Sequence, residues 1–488
     1  MPVWNRGTLQ IVFVHTPMSA TTVPQRRAYW ANFDKHYFST HPWLRPMREI
    51  MWELPHWMHW LGGVLVAHGY TSLDVADLYT SRLTVRDVLR QHPGDVYLFS
   101  PMTVNLPAAL SIADVVKELS PGSVTIFGGV VATPLHWEVA AHGSVDYVVT
   151  GRGEKALPAL LDALQDVHSL EQVGDLTYSM KDGTIRFSPH RYQDLPIREI
   201  PFPKIDLFSP SVGQNIRYLR QVYALGCPYT CSFCAIQTIG RKQDYAATDR
   251  VLAEIAAYRQ HYGTHHHVYW GDETFTLHRE RTATLLEALA EHGGIAYDCQ
   301  TRLNCLRDQA LVNQLAASGC RWIEIGLETL SQESHHRHKH HMRLDDVEET
   351  LMRLRDAGIA ACAFALNGLP EQTADDMRRS IDWVCDLIDK DLLQASYLSN
   401  LVPYPGSALF DHPERFGMQL LHRDFDRYHE DLPAVYRGQY GDPDQTYQVF
   451  LDGVESIAQA MAKRPYFGNV PADVNEAQLG NFWDGSHS

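Results

Sequence analysis

Three cysteines dominate the chemistry that this sequence could perform. Cys227, Cys231 and Cys234 stand at C-x-x-x-C-x-x-C spacing within Gly226-Cys227-Pro228-Tyr229-Thr230-Cys231-Ser232-Phe233-Cys234. A structural zinc site wants four ligands, usually as two short-spaced pairs. No second pair occurs, since Cys299, Cys305, Cys320, Cys362 and Cys385 are scattered singly. Three thiolates on one tight loop can instead hold three corners of a cubane four-iron four-sulfur (4Fe-4S) cluster. The fourth iron then lacks a protein ligand, which suits a cluster that must bind something. A second group, the run from His335 to His341, also invites a metal reading. Arg337 and Lys339 interrupt it and Arg343 follows it, so like charges oppose a bound cation and a solvated helix face is expected. His265-His266-His267 gets the same reading: alternating faces at a strand start, with no metal.

With aromatic Phe233 directly before the last cysteine, the triad resembles the radical S-adenosylmethionine (radical SAM) family. The resemblance implies that the open iron chelates the amino and carboxylate groups of SAM. Reductive cleavage then leaves methionine and a 5′-deoxyadenosyl radical that takes hydrogen from a small-molecule substrate. It makes Cys227, Cys231 and Cys234 the metal-binding and catalytic residues, sets Phe233 near the adenine, and implies an electron donor of the flavodoxin or ferredoxin type. Gly271-Asp272-Glu273-Thr274-Phe275 resembles the family loop that receives SAM's ammonium, with Asp272 and Glu273 the candidates. The other reading is a helix N-terminus whose acids favour the dipole. Arg302 matches the family's basic residue near SAM's carboxylate, where forked donors suit the ligand; an interdomain salt bridge is the alternative. Ile325-Gly326-Leu327-Glu328 resembles the fourth-strand motif, with Gly326 allowing close approach of ribose or adenine and Glu328 accepting a ribose hydroxyl. Gly368-Leu369-Pro370-Glu371 and Pro403-Tyr404-Pro405-Gly406-Ser407 match the loops after strands five and six, or are simple turns.

The elements that must position these residues run from Tyr218 to about Ser407. Six strand-like stretches alternate with helices there: Val222–Gly226, His267–Glu273, Tyr297–Arg302, Trp322–Glu328, Ala361–Gly368 and Gln394–Leu401. Six units without closure to eight match the partial (β/α)6 barrel of the radical SAM core. In such barrels catalytic groups sit at the carboxyl ends of strands, where the motif residues fall.

Upstream, strand-like stretches at 9–17, 72–77, 95–100, 123–127 and 146–150 alternate with helical ones, at 57–67 and 106–119 for instance. That alternation predicts an α/β fold, a Rossmann-like doubly wound parallel sheet with helices on both faces. Ligands of such sheets bind outside the carboxyl ends of the strands. Over roughly residues 9–165 the loops at those ends resemble the cobalamin (B12)-binding domain that precedes the barrel in one radical SAM subclass. The resemblance makes Gly128 and Gly129 cofactor-contacting positions, where glycine lets backbone approach a bulky ring. Relatives often place histidine two residues after Gly-Gly, where this chain has Val131, and the Asp-x-His-x-x-Gly motif is absent. The alternative is an empty, vestigial domain. The expected organisation is therefore 1–165 cobalamin-binding-like, 166–216 a connector with a hairpin around Asp182-Gly183, 217–407 radical SAM barrel, and 408–488 a substrate-contacting region. An amphipathic helix is expected in that last part over Thr446–Ala462.

Composition narrows the partners. With 58 Asp and Glu against 42 Lys and Arg, the formal charge of −16 argues against nucleic acid, whose partners present a basic footprint, and leaves room for a cationic small-molecule substrate. No 18-residue apolar run predicts a membrane span, and the first residues lack the apolar stretch of a secretory signal. An exposed cluster triad expects a reducing cytoplasm. Two reactions fit: cobalamin-dependent methylation of an unactivated carbon or phosphorus in a secondary metabolite, consuming two SAM molecules, or radical dehydration of a diol. The second resembles aminoglycoside biosynthesis and would leave the first domain empty.

Overall fold

The computed structural model describes residues 6–17, 23–41, 53–164, 167–180, 182–189, 192–238, 240–263, 267–293, 295–339 and 342–464. The expectations placed on Met1–Asn5, Lys181, His265, His266, His340, His341 and the stretch from Pro465 lie outside the described residues. Two parallel sheets organise the molecule. The first has strands β1 (Ile11–His15), β2 (Leu73–Asp77), β3 (Val96–Phe99), β4 (Val124–Phe127), β5 (Tyr147–Val149), β6 (Leu176–Ser179) and β7 (Ile185–Ser188), in the order β2-β1-β3-β4-β5-β6-β7. Strand β1 shows why it needs cover on both faces. Ile11 and Phe13 point into one apolar layer with Leu65 and Leu157, while Val12 and Val14 point into another with Ala109 and Ile112. A near-continuous apolar strand of this kind is stable only between two helical layers. The order 2-1-3 puts the reversal of winding between β1 and β3, the crevice where open α/β sheets bind ligands.

The hairpin expected in the connector is instead part of this sheet. Strands β6 and β7 pair antiparallel and extend the edge beyond β5, with Tyr178 opposite Tyr147. The physical reason is burial: Leu176 and Tyr178 complete the apolar layer that β5 alone leaves open, and the hairpin covers an otherwise bare edge.

The second sheet begins earlier than expected. Its first strand is β8 (Tyr218–Gln221), and the segment after it leaves the sheet. There β9 (Ala224–Leu225) pairs antiparallel with β10 (Asp244–Tyr245) and frames the cysteine loop. Then follow β11 (His267–Trp270), β12 (Tyr297–Thr301), β13 (Cys320–Glu328), β14 (Ala360–Asn367) and β15 (Ala395–Asn400). The six long strands lie in chain order, all parallel and unclosed, which is the partial (β/α)6 barrel.

The helix Pro24–Thr40 follows β1 in sequence but packs on the barrel. Tyr29, Phe33 and Tyr37 are buried, Phe33 lying against Trp322 and Tyr397. Its polar groups are anchored there too. Arg26 pairs with Asp431 at 2.6 Å and Asp34 with Arg217 at 3.2 Å, all four side chains nearly fully buried. The C-terminal helix Pro443–Lys463 covers the Thr446–Ala462 expectation and packs beside it: Asn32 and His36 side chains bond the carbonyls of Ala458 and Met461. At the amino ends of β11 and β12, His41 and His267 hold the two oxygens of Asp298 at 2.8 and 3.1 Å, with the Tyr37 hydroxyl donating to Asp298 at 2.6 Å. No helix among the described residues is long and apolar enough to cross a membrane.

Candidate active site

The cysteine loop opens at Gly226, whose φ of +84° is in the left-handed region and whose pro-side-chain direction runs into the Lys242 carbonyl. Only glycine turns the chain there without strain. Cys227 and Cys231 are buried and Cys234 half-buried, all three as free thiols. Burial raises the Cys227 thiol and pushes Cys234 up to about 12, so thiolates at these positions call for adjacent positive charge. The three sulfurs do not all lie within 4.8 Å of one another.

The histidine run corrects the sequence reading. Residues 335–339 form one wide helical turn, and His335, His338 and Lys339 are buried against the cysteine loop instead of solvated. The Ser232 amide donates to the His338 carbonyl at 2.9 Å and its hydroxyl sits 2.6 Å from His338 Nδ1. His338 Nε2 donates to Glu371 at 2.8 Å, and Ser334 bonds the other Glu371 oxygen at 2.5 Å. Burial raises Glu371, but His338 outweighs it and holds the carboxyl down at about 2. Of the interleaved charges that suggested a solvated face, Lys339 is neutralised by Glu328, eleven residues away, and Arg343 reaches only its exposed neighbour Asp345. Of His265–His267, only His267 is described, and it is buried on Asp298.

Five motif residues have partners within the chain itself. Asp272 is buried and its carboxylate accepts from the backbone amides of Tyr223 and Ala224, holding the strand that feeds the cysteine loop. Burial pushes it up to about 7. Glu328 sits at φ +59° and pairs with Lys339 at 2.7 Å. Gly326 leaves room for the same ammonium, which donates to its carbonyl at 2.6 Å. Arg302 lies 3.4 Å from the Cys231 sulfur, donates to the Lys339 carbonyl at 2.9 Å, and stacks on Tyr229 at 3.8 Å. Phe233 packs beside the apolar cluster of Leu369, Leu401 and Leu409.

A cavity of about 630 Å³ lies between the two sheets. Its wall on one side is the carboxyl edge of the first sheet, with His15, Ser100, Gly128, Gly129 and Gly153, and on the other the barrel mouth, with Arg220, Gly226, Ile236, Gly271 and Glu273. Glu273 is therefore the acid of its motif that faces the cavity, and burial raises its carboxyl. Glu53 and Arg220, which sequence reasoning missed, pair across the same space at 2.9 Å. Val131 is buried in the apolar core and does not line the cavity. Among the described residues, none of 408–464 lines this cavity, whereas the segment around Glu53–Leu61 does.

Residues 54–161 match the B12 binding domain model and residues 222–384 the radical SAM superfamily model. The chain joins a B12-binding domain to a radical SAM domain. This radical SAM chain is 25% identical over 407 residues to the anaerobic magnesium-protoporphyrin IX monomethyl ester cyclase of Rubrivivax gelatinosus, covering 78% of this chain and 69% of that one. It is 24% identical over 340 residues to the bacteriochlorophyllide d C-12(1)-methyltransferase of Chlorobaculum tepidum, covering 68% of each. Its fold is that of the radical SAM methyltransferase TsrM from Kitasatospora setae, solved with cobalamin and a [4Fe-4S] cluster bound. The TM-score is 0.64 at 16% identity, covering 91% of this chain and 82% of that one.

A radical SAM domain implies a 4Fe-4S cluster and SAM, and a B12-binding domain implies cobalamin. The residues fit both. Three thiols on one short loop, with Arg302 3.4 Å from the Cys231 sulfur, suit a cluster. The two-walled cavity with a glycine-rich rim suits a corrinoid on one side and SAM on the other, within the size range of small-molecule sites.

Proposed function

We propose that the protein is a cobalamin-dependent radical SAM methyltransferase acting on an unactivated carbon or phosphorus of a small secondary metabolite. The observation that carries this reading is the shared cavity: the carboxyl edge of the first sheet and the mouth of the barrel are two walls of one space. A group held over the sheet would thus face a substrate held at the barrel. When bound, the cluster with SAM supplies one-electron cleavage chemistry and the corrinoid supplies methyl transfer. The chain's own residues do the rest. Cys227, Cys231 and Cys234 would hold the cluster, with Arg302 offsetting charge at Cys231. Glu273 would receive the SAM ammonium, and Gly128 and Gly129 would border the corrinoid. Asp272, His338 and Lys339 act behind them as positioning residues. The apolar cavity wall, with Trp57, Trp60 and Leu61, would keep water from the reacting atoms. The name of the Chlorobaculum relative, a methyltransferase, supports methylation.

The test is reconstitution with iron, sulfide and hydroxocobalamin. Corrinoid bands that survive gel filtration, with product formation that depends on them, are expected. Full turnover in rigorously cobalamin-free conditions would overturn methylation and leave radical dehydration of a diol.

A further inference from the structure

We propose that His15 is an axial nitrogen ligand for the cobalt of a corrinoid bound over the first sheet, oriented for that task by Asp77. The inference rests on the cobalamin reading above and adds a residue to it. His15 ends β1 and Asp77 ends β2, and the two are register partners across the pair. They stand beside the crevice between β1 and β3, where the winding reverses and such sheets receive their ligands.

The hydrogen bonds decide which ring nitrogen is available. Asp77 already accepts from the amides of Tyr79 and Thr80, at 3.1 and 3.2 Å, and from the Thr80 hydroxyl. A carboxylate so held acts as acceptor, so His15 Nδ1, 2.9 Å from its Oδ1, carries the proton. The lone pair is then on Nε2, which has no partner among the described residues. A histidine whose far nitrogen is pinned to a carboxylate is the usual form of a metal-ligating imidazole. The ring is also fixed in angle, stacked on Tyr79 at 5.0 Å and 14° and edge-on to Phe208 at 6.2 Å. His15 lines the cavity and Asp77 does not, so the protonated edge faces protein and the opposite edge faces the space. A purely structural histidine here would be redundant, since the strand ends are already joined by the Leu78 amide donating to the His15 carbonyl at 3.1 Å. The contiguous Asp-x-His motif is missing from the sequence because the acid and the histidine come from adjacent strands.

The test is electron paramagnetic resonance of the full chain loaded with cobinamide, a corrinoid without its own nucleotide base, reduced to cobalt(II). Each cobalt line is expected to split into three from one nitrogen-14, and into two in protein labelled with nitrogen-15 histidine. In His15→Ala the splitting is expected to vanish while corrinoid is retained. Retained cobinamide without nitrogen splitting, or with splitting unchanged by the label, overturns the ligand assignment and leaves corrinoid binding standing. Failure of the unsubstituted protein to retain either cobinamide or hydroxocobalamin through gel filtration overturns both.

Discussion

On the proposed reading Asp272 and Glu273, neighbours in one motif, have opposite tasks, and their variants separate the two. Glu273→Gln removes a charge-assisted contact worth about 1.5–3 kcal/mol, so SAM affinity is expected to fall roughly tenfold or more with iron content unchanged, measured by equilibrium dialysis. Asp272→Ala strands two buried backbone amides at about 1–3 kcal/mol each, and is expected to lower retained iron before SAM affinity can be read. Equal effects of the two variants on iron content would refute this division. Replacing Cys227, Cys231 or Cys234 by alanine is expected to abolish the broad cluster absorbance, whereas Cys299, Cys305, Cys320, Cys362 and Cys385 are each dispensable for it. The triad was legible because covalent spacing alone brings its sulfurs together. The tasks of His338 and Lys339 were not, because their partners Glu371 and Glu328 lie 33 and 11 residues away and no local pattern encodes that pairing.

Among the elements, strands rich in buried apolar residues were readable to within two residues, as β13 and β14 show, since a strand buried on both faces needs no partner to declare itself. The helix Pro24–Thr40 escaped because its buried face is built from Tyr29, Trp30, Phe33 and Tyr37 interleaved with buried Arg26, Asp34 and His36, which flattens the contrast between faces. Proline in its first turn and aromatics at i, i+4 were the available signal. Phe33→Ala is expected to cost about 3–5 kcal/mol, measured by urea unfolding. Gly129 teaches a related caution. Its φ is +87° and a side chain there meets Ser100, so Gly129→Leu strains the loop whether or not a corrinoid binds. Loss of corrinoid in that variant would therefore say little about direct contact.

At the scale of the whole molecule the buried ionic networks set the response to acid. Burial raises Asp298, but His41 and His267 outweigh it and hold it well below the usual carboxylate range, while burial holds His267 below an ordinary histidine. A group whose folded value is depressed contributes stability above its unfolded value and loses it as pH falls, because the unfolded chain binds the proton first. For His267 that loss begins near pH 6.5; for Asp298 and Glu371 it begins near pH 4, continuing for Glu371 down to about 2. The thermal midpoint is thus expected to fall in two stages as pH is lowered from about 7 to about 3. Glu371→Gln is expected to flatten the second stage, and a single unchanged slope in that variant would contradict the assignment.

The chain's route between the sheets has a mechanical consequence. It leaves the first sheet after β1, lays Pro24–Thr40 on the barrel, returns to build β2 to β7, and leaves again for β8. Three covalent tethers therefore join the two bodies, where a simple tandem arrangement has one. One tether is a hinge and permits a gate; three, spread over both bodies, resist it. The width of the gap between the cofactor walls is then a constant of the architecture, and substrate enters along the cavity without prying the walls apart. Pairs of spin labels placed across the gap are expected to report one distance, the same before and after cobalamin and SAM are added.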